Sequence, residues 1–208
     1  MVKQQRAART REALIRCAAE VFDREGFTVA ALSTISSLAG VSTGALHFHF
    51  ATKAQLAGAV EEAALERLCG ITSGEEQATA PVSRLQLLVN ASHRLIRGLG
   101  EDVVLRAGFG LSGAAAGEPG HDLRRHWQQW VSRTLQNAEG DGELHRTVAP
   151  QDVVTAVVAA TVGFEVLGAR DSAWRSAPTV TRFWELLLPR LAVASVLAGL
   201  TAEGAHQP

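Results

Sequence analysis

Between Leu32 and Lys53 the chain reads LSTISSLAGVSTGALHFHFATK, and its groups fit for chemistry are hydroxyls, imidazoles and one ammonium. Gly40-Val41-Ser42 separates two short stretches. Ile35, Leu38, Ala39, Val41, Ala45 and Leu46 are small or apolar where two crossing helices need close approach, and Gly40 frees the turn from steric limits. Ser42 is a capping residue type, so a second short helix starts at Thr43. Such a helix adds little as a structural element and makes sense as a reader, its N-terminal end placed in the major groove of a duplex. Thr43 and Gly44 then approach base edges or phosphates, and His47 donates to a phosphate, particularly when protonated. Lys53 and the amides of its own helix N-terminus hold the backbone. His47 and His49 point to different faces of a helix and have no Cys or acid beside them, so no metal pair is expected and His49 reads as a packing residue.

A second set of candidates lies further on. Trp127, between His126 and Gln128, offers a large apolar wall and one N–H donor. Thr161 is an isolated hydroxyl in the run Val157 to Val166, where it either bonds its own backbone or faces a cavity. His93, Val89 and Phe109 are candidates for lining the same space, which spacing alone does not establish. Trp130 and Trp174 read as peripheral and Trp184 as a packing residue. No Gly-rich phosphate loop, metal-ligand spacing or nucleophile motif is present, and Asp171-Ser172 with a distant His is far too weak. No enzymatic activity and no cofactor are expected. Cys17 and Cys69 read as reduced, buried small hydrophobes of a cytoplasmic protein.

These groups need a scaffold, and the composition points to helices. Apolar residues make up 47% of the 208, while Tyr is absent and aromatics are 5%, so the core rests on Ala, Leu and Val. The patterns predict helices from about Thr10 to Gly26, Leu32 to Ala39, Thr43 to His47, and onward from Ala51. Further helices are expected over about Val82 to Leu99, Val103 to Leu111, Asp122 to Ala138, Gln151 to Ala169 and Val180 to Leu200. Loops are expected over Ile71 to Pro81, Ser112 to Gly120 and Gly140 to Pro150. The class is all-α: a three-helix helix-turn-helix domain over 1–52, then a helical ligand-binding and dimerisation domain over 53–208. Residues 1–60 carry seven basic against four acidic residues, and the rest thirteen against seventeen, a basic head on an acidic body. The last two helices are apolar on more than one face, which places them centrally or against a second copy. No apolar run is expected to reach the length that crosses a bilayer, and the N-terminus is polar and basic.

The segment Thr10 to Leu56 resembles the TetR family of repressors, above all in its Gly-Val-Ser turn and in Ala-Leu-x-Phe-His-Phe-x-x-Lys ending at Lys53. The resemblance implies a homodimer on double-stranded operator DNA, with the last two helices of each copy forming a four-helix bundle. Three positions depart from the usual pattern: Ala31 stands where Thr commonly caps the first reader helix, Thr43 where Lys is frequent, and His47 where Tyr is usual. Each removes a typical DNA contact, so weaker or differently specified binding is expected, with a shallower salt slope.

The body resembles the γ-butyrolactone autoregulator receptors of antibiotic-producing actinomycetes in Val104-Leu105-Arg106-Ala107-Gly108 and in the helix of Trp127 with Leu135 and Ala138. That likeness implies a small apolar effector such as a γ-butyrolactone, Trp127 in its pocket, and control of antibiotic production. Ala64 stands where such receptors often carry Gln, which leaves open a pseudo-receptor responding to an antibiotic or an intermediate. A partner of a related repressor that itself binds no DNA also stays open. The helix starting near Lys53 is expected to be the only covalent link between reader and pocket.

Overall fold

A computed structural model describes residues 2–73, 83–112 and 122–204. Ten α-helices and one 3₁₀ turn account for most of them, and the extended pairing among the described residues is one isolated bridge, Leu144 to Ala192. The helices are α1 (Val2–Glu25), α2 (Leu32–Leu38), α3 (Thr43–His49), α4 (Lys53–Ser73), α5 (Arg84–Glu101), α6 (Val103–Ser112), α7 (Leu123–Gly140), α8 (Pro150–Gly168), α9 (Ala177–Leu191) and α10 (Ala194–Leu197). The 3₁₀ turn, Ser172–Arg175, lies between α8 and α9.

The all-α expectation holds, with differences at the ends of elements. Helix α1 starts eight residues before Thr10. Ile71 to Ser73 are the last residues of α4 rather than loop. The rest of that expected loop, and nearly all of the one expected over Ser112 to Gly120, fall outside the described residues. The long closing helix expected over Val180 to Leu200 is broken, because α9 stops at Leu191. There Leu191 O accepts from His145 N at 2.8 Å and Val193 N donates to Glu143 O at 2.9 Å. A backbone engaged by a segment some fifty residues earlier in the chain cannot also continue the helical ladder.

The chain divides into two compact units. One holds residues up to Leu68 together with Asp102–Arg124, the other Cys69–Glu101 and Arg125 onward. The chain therefore passes between units three times, and α4, which starts at Lys53, carries the first passage at Leu68.

In the first unit Leu14, Ala18, Val21 and Phe22 of α1 are buried with Leu56, Val60 and Ala64 of α4 and Leu105 and Phe109 of α6. Asp102 caps α6 by accepting from Val104 N at 2.8 Å, and its other oxygen takes Arg67 Nε at 2.6 Å. Arg106 Nε donates to both carboxylate oxygens of Asp23, at 3.0 and 2.9 Å, tying α6 to α1.

In the second unit α5 packs on α8, α9 and the 3₁₀ turn. Its N-terminus is capped from a distance: buried Glu143 accepts from Ser83 Oγ, Arg84 N and Leu85 N at 2.8–3.0 Å. Arg175 donates to Leu99 O and Glu165 O, crossing Gly168 where a Cβ would overlap its side chain. Helix α8, with 19 residues, is long and apolar enough by length and composition to cross a membrane, contrary to the sequence expectation. It also carries Asp152 and Glu165, and buries Val153, Val154, Val157 and Phe164 within the unit, as the core helix of a folded domain does.

Gly108 marks a close approach of α6 to α4. A Cβ built there overlaps the Cβ of Ala64 and meets Leu123 Cδ2 at 3.3 Å. In an unconstrained helix interior Gly→Ala gains about 0.5–1 kcal/mol. Overpacking costs roughly 1–3 kcal/mol, and a Cβ cannot swing away as a longer side chain can. Gly108→Ala is therefore expected to lower stability in urea denaturation, and a stabilised variant would show that the two helices separate freely.

Candidate functional sites

The first site is built on two helices of seven residues each. Gly26 (φ +78°) ends α1 and Gly40 (φ +67°) ends α2, backbone conformations that side chains disfavour. Ser42 caps α3 as expected, its Oγ accepting from Ala45 N at 3.1 Å. Leu46 and Phe50 are buried, and the Arg11 guanidinium lies 5.4 Å from the Phe50 ring. What α3 leaves exposed is Ser42, Thr43, Gly44, His47 and Phe48. Thr43 Oγ1 lies 3.3 Å from Ser36 Oγ, so the two short helices share a hydroxyl contact. His49 sits edge-on to Phe48 at 5.3 Å and 6.5 Å from Phe50, in keeping with a packing role.

Phe48, 84% exposed, was not among the expected contacts. A large apolar ring turned to solvent on a reader helix was signalled by the pattern, because buried Leu46 and Phe50 leave the position between them outside. Ala31, by contrast, gives α2 no side-chain cap, as the sequence suggested.

Lys53 is placed differently from expectation. Its Nζ donates to Phe27 O at 2.7 Å, Thr28 O at 3.1 Å and Ala30 O at 3.0 Å, and stands 4.7 Å from the Phe27 ring. An ammonium has three N–H donors, and here all three are engaged by the loop between α1 and α2. Thr52 caps α4 in addition, accepting from Gln55 N at 3.1 Å.

Of the five expected pocket residues, two meet directly. Trp127 Nε1 donates to Thr161 Oγ1 at 3.2 Å, and Thr161 donates to Val157 O at 2.8 Å. The hydroxyl therefore satisfies its own helix and faces Trp127. Val89 is buried in α5. His93 Nε2 lies 2.8 Å from Ala202 O, and its ring packs against Gly204, so it holds the C-terminal segment. Phe109 belongs to the core of the first unit. Trp130 is not peripheral: it is 7% exposed and stacked on Trp127, with centroids 5.2 Å apart and planes at 21°. An i, i+3 pair shares a helix face, so this signal was present in the spacing.

Trp130 also lines a cleft in the second unit with Cys69, Arg84, Arg94, His126 and Arg133. Cys69 is only half-buried, against the sequence expectation, and its Sγ lies 3.8 Å from His126 Nε2. Burial, and after it the Arg133 guanidinium, hold the His126 imidazole below its ordinary pKa.

The family model for bacterial regulatory proteins of the tetR family matches residues 14–60. The chain is 31% identical to the A-factor receptor protein of Streptomyces griseus, over 98% of this chain and 71% of that one. Among solved structures it is similar to a γ-butyrolactone receptor described as ArpA-like, with a TM-score of 0.79 at 26% identity, covering 93% of each chain. It is also similar to the TetR family protein CprB of Streptomyces coelicolor in complex with its biological operator sequence. There the TM-score is 0.78 at 28% identity, over 93% of this chain and 94% of that one.

The two thiols differ enough to separate chemically. Cys17 is 4% exposed, and burial, with Glu20 adding and Arg16 opposing, pushes its pKa above the ordinary thiol value. Iodoacetamide at mildly alkaline pH is expected to modify Cys69 alone in the folded protein and both after denaturation, read by mass spectrometry. Alkylation of Cys17 first would show that α1 opens readily.

Proposed function

The chain belongs to the TetR family of bacterial regulatory proteins, and from that premise we propose a cytoplasmic dimeric repressor that holds a pseudo-palindromic operator through α3 and leaves it on binding a small apolar effector, of the γ-butyrolactone type and tied to antibiotic production. As a member of that family it is a DNA-binding regulator and not an enzyme. The carrying observation is the capped reader helix, whose Thr43, Gly44, His47 and Phe48 stand exposed on a buried anchor of Leu46 and Phe50. Ser42, Thr43 and His47 offer donors to phosphates and base edges, and Phe48 offers an apolar face to a thymine methyl.

Lys53 takes a positioning role in this reading, since its ammonium holds the loop that orients α2 and α3. Domain boundaries follow the same logic: 1–52 supplies the reader, and 53–208 supplies effector binding and dimerisation. The faces for a second copy are on α8 and α9, where Val166, Leu167 and Leu186 are 54%, 43% and 61% exposed. Two copies packed there set their readers one DNA turn, roughly 34–36 Å, apart. An effector preferring the other spacing by about 1–3 kcal/mol lowers operator affinity roughly tenfold to hundredfold. The pocket centres on Trp127 and Thr161, while His93 holds the C-terminal segment and Val89 and Phe109 are buried each in its own unit.

A pseudo-receptor, answering an antibiotic or an intermediate, is favoured by one observation. Ala64 is fully buried and lies close to Gly108, so the polar side chain that receptors often carry there is absent.

Mobility shift on the DNA upstream of the protein's own gene tests the proposal at fixed salt. Binding is expected, and a synthetic γ-butyrolactone should weaken it tenfold or more. No shift sinks the repressor, and an unchanged shift with bound lactone sinks the effector class. Each phosphate contact adds about 0.9 to the slope of log affinity against log salt. Lys53→Met should lose about 1 kcal/mol of stability, as two part-buried carbonyls and one exposed carbonyl lose their donor, with the slope unchanged. A slope lower by about 0.9 would give Lys53 a phosphate of its own. Leu186→Glu should yield monomers in analytical ultracentrifugation while the fold survives, and an intact dimer would place the interface elsewhere.

A further inference from the structure

The Trp130 cleft measures about 320 Å³ and lies wholly within the second unit. That volume sits at the small end of ligand pockets, which run from about 300 to 1,000 Å³. Its lining differs in kind from the surroundings of Trp127. Arg84 and Arg94 enter from α5 and Arg133 from α7, and among the described residues no carboxylate lines the space. Asp141 holds Arg84 Nε at 3.1 Å from outside, and Arg94 Nη2 donates to Ile71 O at 2.8 Å, so two of the three guanidiniums are oriented. Arg133 is exposed and raises the local potential enough to oppose protonation of His126, after burial has already done so. Burial opposes a charge of either sign, so it is the Arg133 contribution, together with the three guanidiniums in the lining, that favours an anion. Trp130 also lines the cleft, an apolar ring held by its stack on Trp127. Guanidinium forks match the planar carboxylate in geometry, and the aromatic wall asks for a hydrocarbon next to it.

We propose that this cleft binds an anionic effector, an apolar acid whose carboxylate lies among Arg84, Arg94 and Arg133 and whose hydrocarbon lies on Trp130. The proposal rests on the reading of the second unit as the effector-binding half, and it adds to the pocket at Trp127 and Thr161 a second site that takes an acid. It also gives the ligand a mechanical handle. Any shift of the Trp130 ring is felt by Trp127, and through the Trp127–Thr161 hydrogen bond by α8.

The full-length protein is titrated calorimetrically with 2-naphthoate and with its uncharged isostere 2-naphthamide. The acid is expected to bind at least tenfold more tightly than the amide. In the double variant Arg84→Gln/Arg133→Gln that preference should shrink at least tenfold, whereas Arg133→Lys should keep most of it. Both side chains reach solvent, so urea denaturation should show the variants folded. If the double variant is not folded, Arg133→Gln alone decides. Equal binding of acid and amide, no heat from either, or a preference untouched by the variants overturns the proposal. The operator mobility shift on the same protein separates the two readings. Operator binding without acid selectivity removes the cleft proposal and leaves the repressor. Acid selectivity without operator binding does the reverse.

Discussion

Two helices of seven residues have no stability of their own in water, because nucleating a helix fixes several residues for each hydrogen bond gained. The reader made of α2 and α3 must therefore be held in place, and Lys53 is the clasp. Its ammonium closes on three carbonyls within the loop Phe27 to Ala30, over the ring of Phe27, which itself lies 5.7 Å from Phe22 of α1. A compact ammonium with three donors suits three converging carbonyls, whereas a planar guanidinium fork does not. The loop, the core of α1 and the first turn of α4 thus form one body, and α3 inherits its orientation from them. Ser42 and Gly40 then only need to start and stop the short helices. The missing cap at Ala31 weakens α2 by about 1 kcal/mol relative to a hydroxyl there, which raises the share of stability carried by the clasp.

The same logic runs through the second unit, where groups far apart in sequence satisfy one another. Glu143 caps α5 across some sixty residues. Arg175 reaches back to Leu99 and Glu165. The segment near Ala202 is fixed by His93 and by Gln86, which exchanges two hydrogen bonds with Thr201. Each of these is a buried or half-buried polar group meeting a partner that local sequence does not contain. Such contacts make the second unit one cooperative body, so a change at one helix is transmitted rather than absorbed.

That contrast explains what was legible in the chain. The reader was legible, because its determinants are local: Gly40 at a positive φ, Ser42 as a cap, apolar residues at helical spacing. Most helices were legible for the same reason. The end of α9 was not, since Leu191 to Val193 are claimed by residues 143–145, and apolar periodicity carries no trace of that. The charge of Lys53 at a helix start suggests a phosphate ligand, while its three carbonyl partners lie more than twenty residues away. Spacing leaves His93 a candidate for the space beside Trp127, but its partner lies 109 residues on. Trp130 was misplaced for a different reason. Its polar neighbours in sequence hid an i, i+3 relation to Trp127 that the helix makes a stack.

The Trp127–Thr161 bond bears on how an effector could act at all. With Thr161 also donating to Val157 O, both polar groups are buried and satisfied without a ligand. Leaving the indole N–H unpaired in such a place costs about 1–3 kcal/mol. That is the same size as the whole coupling energy a repressor needs between effector and operator. A neutral apolar molecule that merely pushed the ring aside would lose, in the unpaired donor, what it gained in contact. An effector must supply an acceptor to the indole, or move Trp127 and Thr161 together so that the bond survives. The second route needs a lever on the Trp127 ring from outside the bonded pair. The stacked face of Trp130 is such a lever, and it is the one that opens onto the arginine-lined cleft.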